Sequence, residues 1–145
     1  MQTYQELLNK LRHDISKLNL NRKKLKPEQK AMLDFIEAKQ KQAQFQKNGT
    51  IVILKREKLK KNEGFEHILK RHYSNECTGK LTPREVLNLG FYLQKEETDY
   101  ATDYEQNDRA NIAYDFYRQE LRLRITMYKD GLINRVLGYF SNRKA

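Results

Sequence analysis

Residues 121–128, Leu-Arg-Leu-Arg-Ile-Thr-Met-Tyr, alternate apolar and polar side chains with a period of two. Because successive side chains of a β-strand point to opposite faces, this pattern predicts a strand with one face in a core. The other face would display Arg122, Arg124, Thr126 and Tyr128. Lys129-Asp130-Gly131 is a hairpin-turn signal, residues 132–140 can return as a strand, and residues 112–117 can precede it. The chain should therefore contain an antiparallel meander of three or four strands.

Two helices are predicted in the first 48 residues. Residues 4–19 place apolar side chains at alternating spacings of four and three, which predicts an amphipathic helix: Tyr4, Leu8, Leu11, Ile15 and Leu18. A second helix should begin at Pro27 and run toward Gln46, where Asn48-Gly49 follows. We therefore divide the chain into a helical arm or accessory segment, residues 1–48, and a main domain, residues 49–145.

The arm holds 11 Lys or Arg residues and 5 Asp or Glu residues. One interpretation is a helical hairpin that packs on the rest of the chain or forms a homodimer. The other is a basic arm that binds nucleic acid or docks a protein partner.

The middle of the chain mixes element types. Residues 50–54 form a β-branched run that predicts a buried strand. Thr82-Pro83-Arg84-Glu85 is a capping box that should open a helix ending near Gly90. Residues 91–93 could continue as a strand, and residues 96–108, with six acids, are predicted to be an exposed loop. The fold class expected is α+β, a helical hairpin followed by two helices on a sheet of four or five antiparallel strands.

The formal net charge of +10 favours a polyanionic partner such as nucleic acid. Cys77 stands alone, which excludes an internal disulfide and suits a reducing compartment. No apolar run reaches the ~18 residues of a membrane span, and the N-terminus lacks signal-peptide features. We expect a cytoplasmic protein with no membrane partner.

Residues 63–72, Glu-Gly-Phe-Glu-His-Ile-Leu-Lys-Arg-His, carry two of the three histidines on one predicted helix. Helical spacing puts His67, Lys70 and Arg71 on one side, while His72 falls within the apolar stripe. His72 can be a buried histidine bonded to backbone or a desolvated base, and His67 can be a base or a solvated side chain. Their spacing of five does not suit zinc, so no metal or cofactor is expected. The sequence also lacks a Gly-rich phosphate loop and a nucleophile elbow, which leaves acid–base chemistry on a phosphodiester.

With these elements in order, residues 49–145 resemble the phage-associated branch of the barnase–EndoU–colicin–RelE nuclease superfamily. The resemblance lies in the strand at 50–54, the Gly64–His72 string, the helix from Thr82, and a closing meander that ends in Gly138-Tyr139-Phe140-Ser141-Asn142-Arg143-Lys144. It implies helices packed on one side of an antiparallel sheet. It also implies a metal-independent endoribonuclease, as in toxins and phage-borne effectors, and an antitoxin that residues 1–48 could bind.

The resemblance also implies roles for single residues. His67 or His72 would act as base or acid in the attack of an RNA 2′-hydroxyl on the adjacent phosphorus. Cations would hold phosphate: Lys70, Arg71, Arg122, Arg124 and Arg143. Ser141 would join Arg143 at the scissile phosphate, and Tyr139 would stack a base or act as the acid. Two other functions stay open: a non-catalytic protein that binds nucleic acid, and an interaction protein that works through residues 1–48 with a toxin or phage component.

Overall fold

The structure is a computed structural model that describes residues 2–56, 63–106 and 109–144. Within these residues the fold is α+β, with five α-helices and one six-stranded sheet. The helices are α1 (Tyr4–Ser16), α2 (Pro27–Ile36), α3 (Phe65–His72), α4 (Pro83–Leu87) and α5 (Leu89–Gln94). The strands are β1 (Gln42–Lys47), β2 (Thr50–Lys55), β3 (Asp99–Gln106), β4 (Arg109–Arg118), β5 (Leu121–Asp130) and β6 (Ile133–Ser141).

The sheet is mixed, in the order β1-β2-β6-β5-β4-β3. Four neighbouring pairs are antiparallel, whereas β2 and β6 are parallel over the short register from Ile51–Ile133 to Ile53–Arg135. The prediction of four or five antiparallel strands was therefore wrong in strand number and in one pairing. The predicted hairpin of β5 and β6 and the strands at 50–54 and 112–117 are confirmed.

The core lies between the helices and one face of the sheet. Along β4 and β5 the side chains of one alternating set point into it: Ile112, Tyr114, Phe116, Leu123, Ile125 and Met127. Helices α1 and α2 and strand β1 supply buried side chains to the same core, among them Leu7, Leu11, Met32, Leu33 and Phe45. The boundary predicted at residue 48 falls on the β1–β2 turn, so residues before it share one core with those after it.

One segment predicted as helix and another predicted as loop are both strands. Helix α2 ends at Ile36, and residues 42–47 form β1 with alternating burial instead of continuing the helix to Gln46. Residues 99–106, part of the predicted acidic loop, form β3, which pairs with β4. Residues 107 and 108 of that loop lie outside the described residues. In both segments cross-strand pairing with a neighbour decides the structure more than the local composition does.

The Thr82–Glu85 capping box is confirmed, but the helix after it differs from the prediction. Gly90 does not end the helical region and residues 91–93 are not a strand, because both belong to α5. The ring of Phe45 packs on Gly90 so closely that a Cβ there would lie 2.1 Å from its Cδ1 atom. Gly90 therefore permits the close approach of α5 to β1.

Beyond Arg135, β6 loses β2 as its neighbour, and other segments bond to it. The Gly64 N–H, at the start of α3, donates to the Leu137 carbonyl at 2.9 Å. Further along, the Gly79 N–H donates to the Arg143 carbonyl, and the Gly79 carbonyl accepts from the Ser141 N–H. These bonds hold α3 and the loop after it against the second half of β6, where Phe65, Ile68 and Leu69 of α3 join the main core.

Candidate active site

An open cavity of ≈ 440 Å³ lies between α3 and the sheet face that the main helices leave uncovered. Strand β5 contributes Thr126, and β6 contributes Gly138 and Phe140. Thr126 and Gly138 are cross-strand partners, and a Cβ on Gly138 would lie 3.0 Å from the Thr126 hydroxyl. Small side chains thus form the floor. We call this the histidine cavity, and its lining also includes Glu63, His67, His72, Tyr104, Gln106, Arg109, Asn111 and Leu137.

Both histidines of α3 line the cavity. Their ring centroids are 6.3 Å apart and their planes meet at 86°. Helical spacing in the sequence placed His67 and His72 on different sides of the helix. In the structure both side chains nevertheless line the same cavity. The structure therefore brings together the two proton-transfer candidates that the sequence suggested.

The ring of His72 is held in one orientation. Its Nδ1 lies 3.0 Å from the Thr78 carbonyl oxygen. Since a carbonyl only accepts, Nδ1 carries the proton in the neutral ring and Nε2 is the basic nitrogen. Phe140 packs on the ring with centroids 5.3 Å apart. Burial lowers the pKa of His72 from its ordinary value, the Thr78 hydrogen bond opposes that shift, and the charge of Arg71 adds to it.

Gly79 closes the other side of this ring. Its φ is +71°, and a Cβ there would lie 3.0 Å from His72 Nδ1 and 3.1 Å from the Ser141 carbonyl oxygen. Only glycine fits this conformation and this spacing without strain. The loop of residues 77–81 therefore fixes the position of the His72 ring.

An arginine that sequence reasoning missed lies at the opposite wall. Arg109 forms an ion pair with Glu63, and its guanidinium lies 4.2 Å from the centroid of the Tyr128 ring. The side chain is 17% exposed, and its Nε and Nη1 atoms have no hydrogen-bond partner among the described residues. Asn111, 1% exposed, leaves its Oδ1 without a partner within the same ranges. Buried polar atoms without partners are rare in folded proteins, so this wall keeps hydrogen-bonding capacity that the described residues do not use.

Tyr104 completes the polar lining from β3. Burial raises the pKa of its hydroxyl, although a hydrogen bond with Thr126 and the charges of Arg124 and Arg109 oppose that shift. The hydroxyl therefore stays protonated at neutral pH and can donate a hydrogen bond or a proton.

The three residues predicted at the end of β6 lie elsewhere. The Tyr139 ring is 0% exposed in the main core, and its hydroxyl donates to the Glu85 carbonyl at 2.7 Å. A role for Tyr139 in stacking a base or as an acid does not fit that position. The hydroxyl of Ser141 donates to the backbone carbonyl of Lys80. Arg143 forms a two-pronged ion pair with Glu85, with bonds of 2.6 and 2.8 Å. These three residues tie β6 to the start of α4, outside the histidine cavity.

The four other predicted phosphate ligands are also outside the cavity lining. Lys70 pairs with Glu66 at 3.3 Å, and Arg71 is exposed. Arg124 is held by Asp115 through bonds of 2.8 and 2.9 Å. Arg122 is half-buried near the far end of β5, with its Nε atom lacking a partner among the described residues. Arg122 and Arg124 share a face with Thr126, as the period of two predicted.

The residues missed by sequence reasoning are Glu63, Tyr104, Arg109 and Asn111. A signal existed for Glu63, which directly precedes Gly64 and α3. Nothing in the sequence indicated that it would meet Arg109, since the two lie 46 positions apart.

Among the described residues no group of three or more His, Cys, Asp and Glu side chains is placed to hold a metal ion. None of the helices in the described ranges combines the length and the apolar character needed to cross a membrane. No family model, curated protein or solved structure matches this chain.

Proposed function

We propose that this protein is a metal-independent endoribonuclease that cleaves RNA in the histidine cavity by 2′-hydroxyl attack. The observation that carries the proposal is the meeting of His67, His72 and the incompletely bonded Arg109 around one open hollow. Proton transfer and charge stabilisation are the two kinds of help that this reaction takes from a protein.

His72 is the general base in this proposal. Its lowered pKa keeps the ring neutral at pH 7, so that Nε2 is available to accept the proton of the 2′-hydroxyl. The Thr78 bond on Nδ1 stabilises the imidazolium that forms, as a partner on the far ring nitrogen does in other acid–base sites.

Arg109 stabilises the negative charge that builds on the non-bridging phosphate oxygens. Glu63 and the Tyr128 ring hold the guanidinium in place before substrate binds. Such preorganisation is effective because no reorganisation of the charge is needed during the reaction. Its positive charge attracts phosphate, and Nε and Nη1 are donors that the described residues leave unused.

The leaving 5′-oxygen requires a proton. Two groups of the cavity can supply it, the imidazolium of His67 and the hydroxyl of Tyr104. An imidazole acid loses its proton near neutrality, whereas the raised pKa of Tyr104 keeps its hydroxyl protonated into alkaline solution. The alkaline side of the pH–rate profile therefore identifies the acid.

The deciding experiment incubates the purified protein with RNA in the presence of EDTA. Fragments with 2′,3′-cyclic phosphate ends are the expected product. A DNA strand of the same sequence stays intact, because it lacks the attacking 2′-hydroxyl. The His67→Ala/His72→Gln double variant should lose at least about 10²-fold in rate, and Gln at position 72 can still donate to Thr78.

His13→Ala is the matched control, since His13 is exposed on α1. It should cleave as the wild type does, and the double variant should keep a cooperative thermal unfolding transition. Cleavage that survives the double substitution would assign the activity to another protein in the sample. Binding of RNA with a steep salt dependence and no product would instead support the non-catalytic alternative.

A further inference from the structure

The uncovered face of the sheet continues past the histidine cavity toward the β4–β5 turn. Cross-strand pairs mark the path, from Thr126–Gly138 to Arg124–Phe140 and then to Tyr117–Arg122. Thr126 and Arg122 are four residues apart on β5, which corresponds to about 13 Å along the strand. One row of side chains therefore joins the cavity to the end of the hairpin.

Tyr117 is an exposed aromatic residue at the end of this row. Its side chain is 53% exposed, although a large aromatic ring is usually buried. Within the described ranges its hydroxyl donates to Asp115 at 3.5 Å, the long limit for such a bond. The face of the ring is available for stacking.

Arg122 is the cross-strand partner of Tyr117. Asn142 holds its backbone on both sides, because the Arg122 N–H donates to Asn142 Oδ1 and the Asn142 N–H donates to the Arg122 carbonyl, each at 3.1 Å. The Nε atom is buried and lacks a hydrogen-bond partner among the described residues. Arg124 differs from Arg122, because its guanidinium forms an ion pair with Asp115.

We infer that Tyr117 and Arg122 form a second nucleotide subsite, which binds single-stranded RNA beyond the bond cleaved in the histidine cavity. The inference rests on the proposed function. Tyr117 stacks on a base, and Arg122 binds the phosphate beside it. An aromatic platform next to a cation is the general solution for binding single strands without reading their sequence.

The test measures affinity, so that it does not depend on turnover. Fluorescence anisotropy is recorded with RNA that carries 2′-O-methyl groups, which block the attack, as a dinucleotide and as a longer single strand. Tyr117→Ala should weaken binding of the longer strand by roughly 5- to 100-fold. The loss for the dinucleotide should be much smaller, since a dinucleotide in the cavity does not reach Tyr117.

Tyr100→Ala is the matched control for the ring. Tyr100 is 52% exposed but pairs with Tyr114 on the core-facing side of the sheet. Arg122→Gln should lower the salt slope of longer-strand binding by about 0.7. Arg118→Gln removes the same charge from an exposed position of β4 and should change affinity less than Arg122→Gln does.

Equal losses for Tyr117→Ala and Tyr100→Ala, or equal losses for the dinucleotide and the longer strand, would overturn the subsite. Failure of the proposed function has a different signature. In that case the wild type releases no cyclic phosphate from cleavable RNA, while Tyr117 still governs binding of the longer strand.

Discussion

Two arginines of this protein meet a glutamate in partly buried ion pairs, and they differ in what remains unbonded. Arg143 bonds both oxygens of Glu85 and the Lys80 carbonyl. Arg109 bonds Glu63 and stacks on Tyr128, yet two of its nitrogens have no partner among the described residues. Residue type alone does not identify a functional arginine. Our proposal rests instead on the hydrogen-bonding capacity that is left over at the wall of a cavity.

The surroundings of the two pairs agree with this difference. Tyr139 and Ser141 direct their hydroxyls to main-chain carbonyls beside Arg143, and that cluster joins β6 to α4. The Arg109 pair instead faces an open volume shared with both histidines of α3. We therefore expect substitutions in the first cluster to change stability, and substitutions in the second to change catalysis.

Arg109→Lys should produce the largest effect. Lysine keeps a positive charge for Glu63 but lacks the further N–H donors that the guanidinium has beyond this ion pair. The single-turnover rate of RNA cleavage should fall about 10²-fold, while the unfolding free energy changes by less than ~1 kcal/mol. If Arg109→Lys cleaves RNA at the wild-type rate, the proposed difference between a catalytic cluster around Arg109 and a stabilising cluster around Arg143 is wrong.

The pH dependence of cleavage should show the lowered pKa of His72. The base must be neutral, so the rate rises with pH through the pKa of His72 and falls by up to about tenfold per pH unit below it. Burial places that midpoint below the ordinary value of 6.5. Arg71→Gln removes a charge that contributes to the shift, so its midpoint should move to higher pH. A midpoint at or above 6.5 for the wild type would exclude His72 as the base.

The contrast between the clusters also explains which parts of the site the sequence predicted. The Gly64–His72 string and the alternation of β5 are local patterns, and the helix and the strand that they predicted are both present. The shared position of the two histidines beside Thr126 was not predicted, since helical spacing had put them on different sides of α3. The pairing of Glu63 with Arg109 depends on the tertiary fold, which brings the first residue of β4 to the residue before Gly64. Local spacing carries no information about such a contact.

The position of Tyr139 in the core, which does not fit the role that the resemblance implied, has a specific physical cause. The register of β5 and β6 shifts between Thr126 and Met127, which leaves Leu137 as an extra residue in β6. Such a bulge reverses the alternation beyond it, because side chains switch faces when one residue is inserted. Tyr139 then turns into the core, while Phe140 turns toward the cavity.

The fold was predicted where side-chain alternation had a clear apolar face. Strand β1 reads Gln-Ala-Gln-Phe-Gln-Lys, in which most residues favour a helix and only Ala43 and Phe45 mark the buried side. Strand β3 is exposed over most of its length, so its sequence has no apolar face from which a strand could be predicted. Strand β1 pairs with β2 and β3 pairs with β4, in each case with the next strand in the chain, and this pairing supplies the information that composition lacks.

Arg143→Lys should show the complementary behaviour to Arg109→Lys. Loss of the two-pronged pair should lower the unfolding free energy by about 1–2 kcal/mol, with the cleavage rate unchanged. Burial alone would raise the pKa of Glu85, but bonds from Arg143 and the Thr82 backbone lower it overall, below 4.5. The stabilisation is therefore complete above pH 4.5 and is lost as the pH falls through the lowered pKa. Urea unfolding of both proteins at neutral and acidic pH should show their difference shrinking in acid.

Lys70→Ala should have the smallest effect, although Lys70 belongs to the same helix as both histidines. Its ammonium group is paired with Glu66 on an exposed face, at a spacing of four residues. Such pairs contribute about 0.3–0.5 kcal/mol to stability. Because the cavity lining excludes Lys70, its removal should change the cleavage rate by less than about threefold at physiological salt, where distant charges are screened. A tenfold loss would mean that substrate wraps around α3 to reach Lys70, and spare hydrogen-bonding capacity at the cavity wall would then not suffice to identify the binding cations.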